Sequence, residues 1–139
     1  MLYLSTSSPD ELSAHNSEYV RFRAADRETD PKLSVLENEH GWFVGSKAGC
    51  SCTFRHLAGG DLGFDEPEDW LPEDEDAIKA TAELYRVIAA LVHAGNRVDC
   101  VDTWMGEKPA EISRVEVSLN DVPERTFRFF ESHHFVFMP

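Results

Sequence analysis

The segment Asp74–Ala94 constrains the fold of this chain more than any other. Apolar residues recur three and four apart at Ile78, Ala82, Tyr85, Ile88, Ala89 and Val92, and Leu84, Val87 and Leu91 widen the stripe. Lys79, Glu83, Arg86 and His93 fall on the opposite side. Acidic residues run from Glu73 to Asp76, where the positive end of a helix dipole favours them, and Gly95 supplies a stop. An apolar stripe this wide predicts a long helix lying across a sheet.

Strand material flanks that helix on both sides. Leu2–Ser5, Glu18–Ala24, Leu33–Leu36 and Gly41–Gly45 precede it; Arg97–Trp104, Glu111–Leu119, Arg125–Phe130 and His134–Met138 follow. These runs are short, β-branched or aromatic, and bounded by turn residues. Glu131–His133 is about the length of a hairpin loop, so the last two strands are expected to pair antiparallel. Near the start, Ser8 as cap, Pro9 at the first helical position and Glu11 three past the cap predict a short N-terminal helix. The expectation is an α+β fold over residues 1–139 as a single domain. A mixed or mostly antiparallel sheet would pack against one principal helix at about 74–94.

Charge narrows the partners. The 139 residues carry 26 acidic and 13 basic side chains, a formal net charge of −13, which repels nucleic-acid phosphate and anionic membrane. No run of 18 apolar residues exists to span a bilayer, and MLYLSTSSPDEL lacks the basic start of a signal peptide. Three cysteines form no visible disulfide framework, so reducing cytoplasm is the expected compartment. Neither nucleic acid nor membrane is expected as a partner, and the oligomeric state is left open.

KAGCSCTFRHLAGG, residues 47–60, draws the eye for chemistry. Read as a strand from residue 50 to 57, it places Cys50, Cys52, Phe54 and His56 on one face and Ser51, Thr53 and Arg55 on the other. Buried cysteine is common, so this face is expected to pack inward. Zinc knuckles leave two to four residues between cysteines, and here one intervenes; an extended His56 would also lie about 13 Å beyond Cys52. No metal and no cofactor are expected. The usual dithiol motif needs two intervening residues at a helix start, and no helix begins here. Gly45–Gly49 lacks the glycine offsets of a phosphate loop and reads as a turn.

Asp61–Asp76 is the most unusual stretch, with nine acidic residues of sixteen and no basic one. It lacks the ligand spacing of a calcium loop. Phe64, Trp70 and Leu71 interrupt the acids, either as anchors that pin the loop or as contact residues for a partner. Two readings of function follow. In the first, the protein binds a basic protein partner through Glu66, Glu68, Asp69 and Trp70, because complementary charge speeds encounter. In the second, it is a small thiol- or metal-dependent enzyme centred on Cys50, Cys52, His56, Cys100 and Asp102. Asp102 shares the alternating face of Val98, Cys100 and Trp104, so an inward face would bury a carboxylate there. His133 and His134 read as exposed turn residues.

Overall fold

A computed structural model describes residues 1–139. Its principal helix, α1, spans Glu75–His93. The Asp74 carboxylate caps it by accepting from the Asp76 amide at 2.7 Å, and Gly95 takes φ +93° to turn the chain away. The buried stripe runs through Ala77, Ala80, Thr81, Leu84, Ile88 and Leu91, so Ile78 and Ala82 lie at its margin rather than its centre.

α1 lies on one face of a mixed six-stranded sheet. In chain order its strands are β1 (Leu2–Thr6), β2 (Val20–Ala24), β3 (His40–Ser46), β5 (Val98–Asp102), β6 (Ser113–Ser118) and β8 (His133–Met138). Across the sheet the order is β2-β3-β1-β5-β8-β6, antiparallel except for the parallel β6–β8 pair. Two further short strands, β4 (His56–Leu57) and β7 (Phe129–Phe130), pair in parallel beside it.

Between helix and sheet lies a core of 23 buried residues with Phe127 at its hub. The Phe127 ring meets Phe64, Tyr85, Phe129, Phe135 and Phe137 at centroid distances of 5.0–6.1 Å. Aromatic pairs at such spacing add to the burial of their large apolar area. The far face is smaller: Tyr3, Leu33, Leu36 and Val101 are its buried apolar residues. Beside them sits a polar cluster around the fully buried Asp99.

Four expectations are corrected. The short N-terminal helix is only a 3-10 turn, Leu12–His15. Leu12 is its one buried residue, Ser8 Oγ accepts from Asp10 rather than from a continuing helix, and Asn16 is drawn away to bond both backbone groups of Phe22. Leu33–Leu36 is no strand: Leu33–Val35 closes a 3-10 turn, Pro31–Val35, capped by Asp30 at its start and Leu36 at its end, which lets Leu33 and Leu36 cover the far face together. Residues 50–57 are mostly turn, with β4 their only strand. The last two strands form no hairpin. Phe127, Phe129 and Phe130 all enter the core instead of alternating, which sends β7 to β4 while β8 joins β5 and β6.

Candidate functional site

At the end of the sheet where β1 begins and β5 finishes, a cleft of about 490 Å³ opens. Cys50, Cys52, His56, Asp102, Trp104 and Glu131 are among the residues that line it. The fold therefore gathers four of the five residues proposed for a thiol centre. Cys100 is the exception. It is fully buried in the helix-facing core, where burial, with the nearby carboxylates of Asp99 and Asp102, pushes its thiol well up.

The cysteines face outward because the residue between them faces inward. Ser51 is buried; its hydroxyl accepts from the Leu2 amide at 2.8 Å and donates to the Val44 carbonyl at 2.7 Å, tying the turn to β1 and β3. From the other side, the Ser46 amide and hydroxyl both donate to the Cys50 carbonyl. Gly49 makes the turn possible with φ +81°, and a Cβ on Gly45 would lie 3.1 Å from its carbonyl oxygen. This reverses the expected inward-facing cysteines: Cys50 is half-buried, Cys52 is exposed, and the two are joined by a disulfide. The Cys52 amide donates to Cys50 Sγ at 3.3 Å.

Opposing these sulfurs are residues fixed by separate elements. His56 sits on β4, held to β7 by backbone bonds. Asp102 ends β5 and is buried. Its Oδ2 lies 2.5 Å from His56 Nε2, yet the two atoms are out of hydrogen-bond alignment and neither has another partner. Buried polar atoms left this way are rare, and a catalytic or redox role is one of the reasons for which a fold keeps them. Its other oxygen, Oδ1, lies 3.6 Å from the Met1 ammonium group. Trp104, 58% exposed, stands at the rim. Glu107 holds its turn, accepting from the Thr103 hydroxyl at 2.8 Å, the Trp104 amide at 3.1 Å and the Ser132 hydroxyl. Burial pushes the Glu107 carboxyl up, but these bonds and the Met1 ammonium more than offset it, and the net shift is downward.

The acidic loop forms a second, separate surface. Two buried arginines hold it. Arg55 forks onto Glu73 at 2.8 Å and donates to the carbonyls of Asp65, Arg125 and Phe127, while Arg128 donates to the Gly63 carbonyl at 2.7 Å. Phe64 stacks on Phe127 and Phe130 and is the loop's apolar anchor. Trp70 is not: it is 65% exposed, with its indole N–H donating to Glu68. Glu66, Glu68 and Asp69 are all exposed around it, and Glu66 reaches Arg125 at 3.7 Å. The hollow beneath Trp70 is only about 40 Å³, too small for a ligand.

Two features had no clear signal in the sequence. Arg55, expected on an exposed strand face, is 2% exposed. His134, expected in a turn, is buried on β8 with Nε2 2.7 Å from Asp99. The side chains that the fold brings together include no group of three or more His, Cys, Asp or Glu able to hold a metal ion. No helix is long and apolar enough to cross a membrane. Comparison with known proteins finds no significant match to a family model, a curated protein or a solved structure.

Proposed function

We propose that the protein carries out thiol–disulfide exchange at the Cys50–Cys52 bond. One observation carries this reading: a bonded cysteine pair, one sulfur residue exposed, lines a cleft together with a buried His–Asp contact. A cross-link that spans a single residue closes almost no chain, so its contribution to the fold is at most about 1.5 kcal/mol. Structural stapling is a poor explanation for it.

The difference in exposure between Cys50 and Cys52 supports unequal roles for them. An incoming thiolate attacks the sulfur of Cys52, the more exposed residue of the pair, and the sulfur–sulfur bond breaks toward Cys50. The electron pair left on Cys50 Sγ is met by the Cys52 amide, a donor already aimed at it. His56 supplies or takes the proton, with the Asp102 carboxylate beside it to balance the charge of the protonated ring. Cys100 takes no part.

The test is oxidation of the reduced protein by hydroxyethyl disulfide, followed by thiol alkylation and mass measurement. The wild type and Cys100→Ser should both lose two alkylatable thiols, faster than free dithiothreitol reacts under the same conditions. Cys50→Ser and Cys52→Ser should each fail to form the intramolecular bond. A rate no faster than the free dithiol would sink the proposal.

A second reading rests on Trp70. An indole left exposed on an anchored, acid-ringed loop suits a basic protein partner, for which Glu66, Glu68, Asp69 and Trp70 would form the contact. It predicts salt-sensitive capture of such a partner, lost on replacing Asp69 and Trp70 together by alanine. Capture indifferent to both salt and the double replacement refutes it.

A further inference from the structure

Arg21 and Arg23 are the observation that the exchange reading leaves unused. They sit two apart on β2, an edge strand, so both side chains leave the same face of the sheet about 7 Å apart. With Asn16 they line a hollow of about 250 Å³ beside the cleft. Phe43 and Gly49 line both spaces, so hollow and cleft adjoin at the Phe43 ring. The Arg23 guanidinium lies over that ring, 4.9 Å from its centroid, which positions it at the junction.

Both guanidinium groups are free. In a chain with twice as many acidic as basic residues, cations are ordinarily taken up by carboxylates. Arg55, Arg86, Arg114 and Arg125 hold carboxylates here, and Arg27 and Arg128 hold backbone carbonyls. Arg21, Arg23 and Arg97 hold neither, and of these only Arg21 and Arg23 line a hollow. The carboxylates of the region, Asp102 and Glu131, line the cleft and not the hollow. The joint space thus has a cationic end near Arg21 and Arg23 and an anionic part near the disulfide.

We infer that the thiol exchanged at Cys50–Cys52 is a low-molecular-weight, carboxylate-bearing one, an amino-acid or short-peptide thiol. Its carboxylates lie on Arg21 and Arg23, its backbone passes Phe43, and its sulfur reaches Cys52. Guanidinium forks match carboxylates in geometry as well as charge. An ammonium group on the same molecule is met by Glu131 and Asp102. The space is of small-ligand size, whereas a protein substrate would need a far larger surface.

This inference rests on the exchange reading above. One ligand thiolate attacks Cys52, giving a mixed disulfide and a Cys50 thiolate. A second ligand thiolate attacks the ligand sulfur of that mixed disulfide, releasing the ligand disulfide and a Cys52 thiolate. The two protons shed by the ligand thiols end on Cys50 and Cys52. Two thiols are oxidised, one protein disulfide is reduced, and the reverse course reduces the ligand disulfide.

Three small disulfides of different charge test it on the reduced protein: glutathione disulfide (anionic), hydroxyethyl disulfide (neutral) and cystamine (cationic). Rates are divided by those of reduced dithiothreitol with the same compounds. We expect glutathione disulfide to be favoured over the neutral compound by about tenfold or more, the worth of one good charge-assisted contact. Arg21→Glu combined with Arg23→Glu should remove that preference, and Arg21→Gln with Arg23→Gln should weaken it. Arg97→Glu, at a cation outside both spaces, changes the net charge by as much as the double glutamine variant and should leave the preference intact. A preference for cystamine would mean that the net charge of −13 governs, and would overturn the inference. So would exchange with no anionic preference, or a preference that survives both double variants. Failure with all three disulfides removes the exchange reading itself, and this inference with it.

Discussion

Asp99 and Asp102 lie three residues apart on β5, both buried, and the environments around them are opposite. Asp99 is saturated. Its Oδ1 accepts from Ser5 and from Asn38 at 2.9 Å, and its Oδ2 meets the Glu37 amide at 2.8 Å and His134 at 2.7 Å. Four partners match the acceptor capacity of a carboxylate, leaving nothing for a ligand. Asp102 Oδ2 has only the misaligned His56, beside an open cleft. Burial alone therefore does not mark a functional acid. What marks it is burial with unused bonding capacity next to accessible space.

The contrast is broken most directly at Asp99. Its cluster ties β1, β5 and β8 to the 37–38 segment on the far face of the sheet. Asp99→Ala leaves the buried Ser5, Asn38 and His134 side chains, and the Glu37 amide, without that partner. Removing one member of a buried charged network costs about 3–5 kcal/mol, so denaturant unfolding should show a loss of that order. A loss under about 1 kcal/mol would mean that water replaces the carboxylate and that the cluster is not structural.

Asp102→Asn is the opposite case. The replacement keeps the volume and sacrifices no aligned bond at Oδ2, so unfolding free energy should change by no more than about 1 kcal/mol. The exchange rate should fall roughly tenfold, because the protonated His56 ring loses the negative charge beside it, and general acid–base groups contribute a factor of about 100 or more when well placed. Equal losses of stability and rate would place Asp102 with Asp99 as a structural acid.

Why one of these acids was legible in the sequence and the other was not follows from the same strand. Alternation on Arg97–Trp104 places Val98, Cys100 and Asp102 on one face, and the apolar pair points that face at the helix. Asp99 shares its face with Val101 and pairs with Ser5 and Val136 across the sheet, which predicts no buried acid. The helix was legible because its signal repeats over several turns. The last strands and the cysteine turn were not, for a common reason. Their residues are placed by distant partners: Ser51 by Leu2 and Val44, the phenylalanines by the core under α1. Periodicity holds only where a single face decides, and at Ser51 two hydrogen bonds outweighed it. The acidic loop was visible as composition, yet its division into anchor and free indole depends on where Phe127 stands.

The smallest effect concerns the rim of the cleft and separates a third acid from the other two. Glu107 is neither saturated far from solvent nor left unpaired; it holds the Trp104 turn through three donors. Its folded pKa lies below its ordinary value of about 4.3. With the folded value depressed, its contribution to stability is complete above the unfolded pKa and is lost as the pH falls through the folded one. The rim should thus hold at neutral pH and loosen only in acid, below the range in which an ordinary glutamate titrates. The Trp104 amide proton, followed by NMR, reports this directly, since it donates to the titrating carboxylate. Its midpoint should fall below that of a model glutamate, and Glu107→Gln should abolish the transition. A midpoint at or above about 4.3 would mean that burial outweighs the three bonds, and that Trp104 is not held as a fixed wall of the cleft.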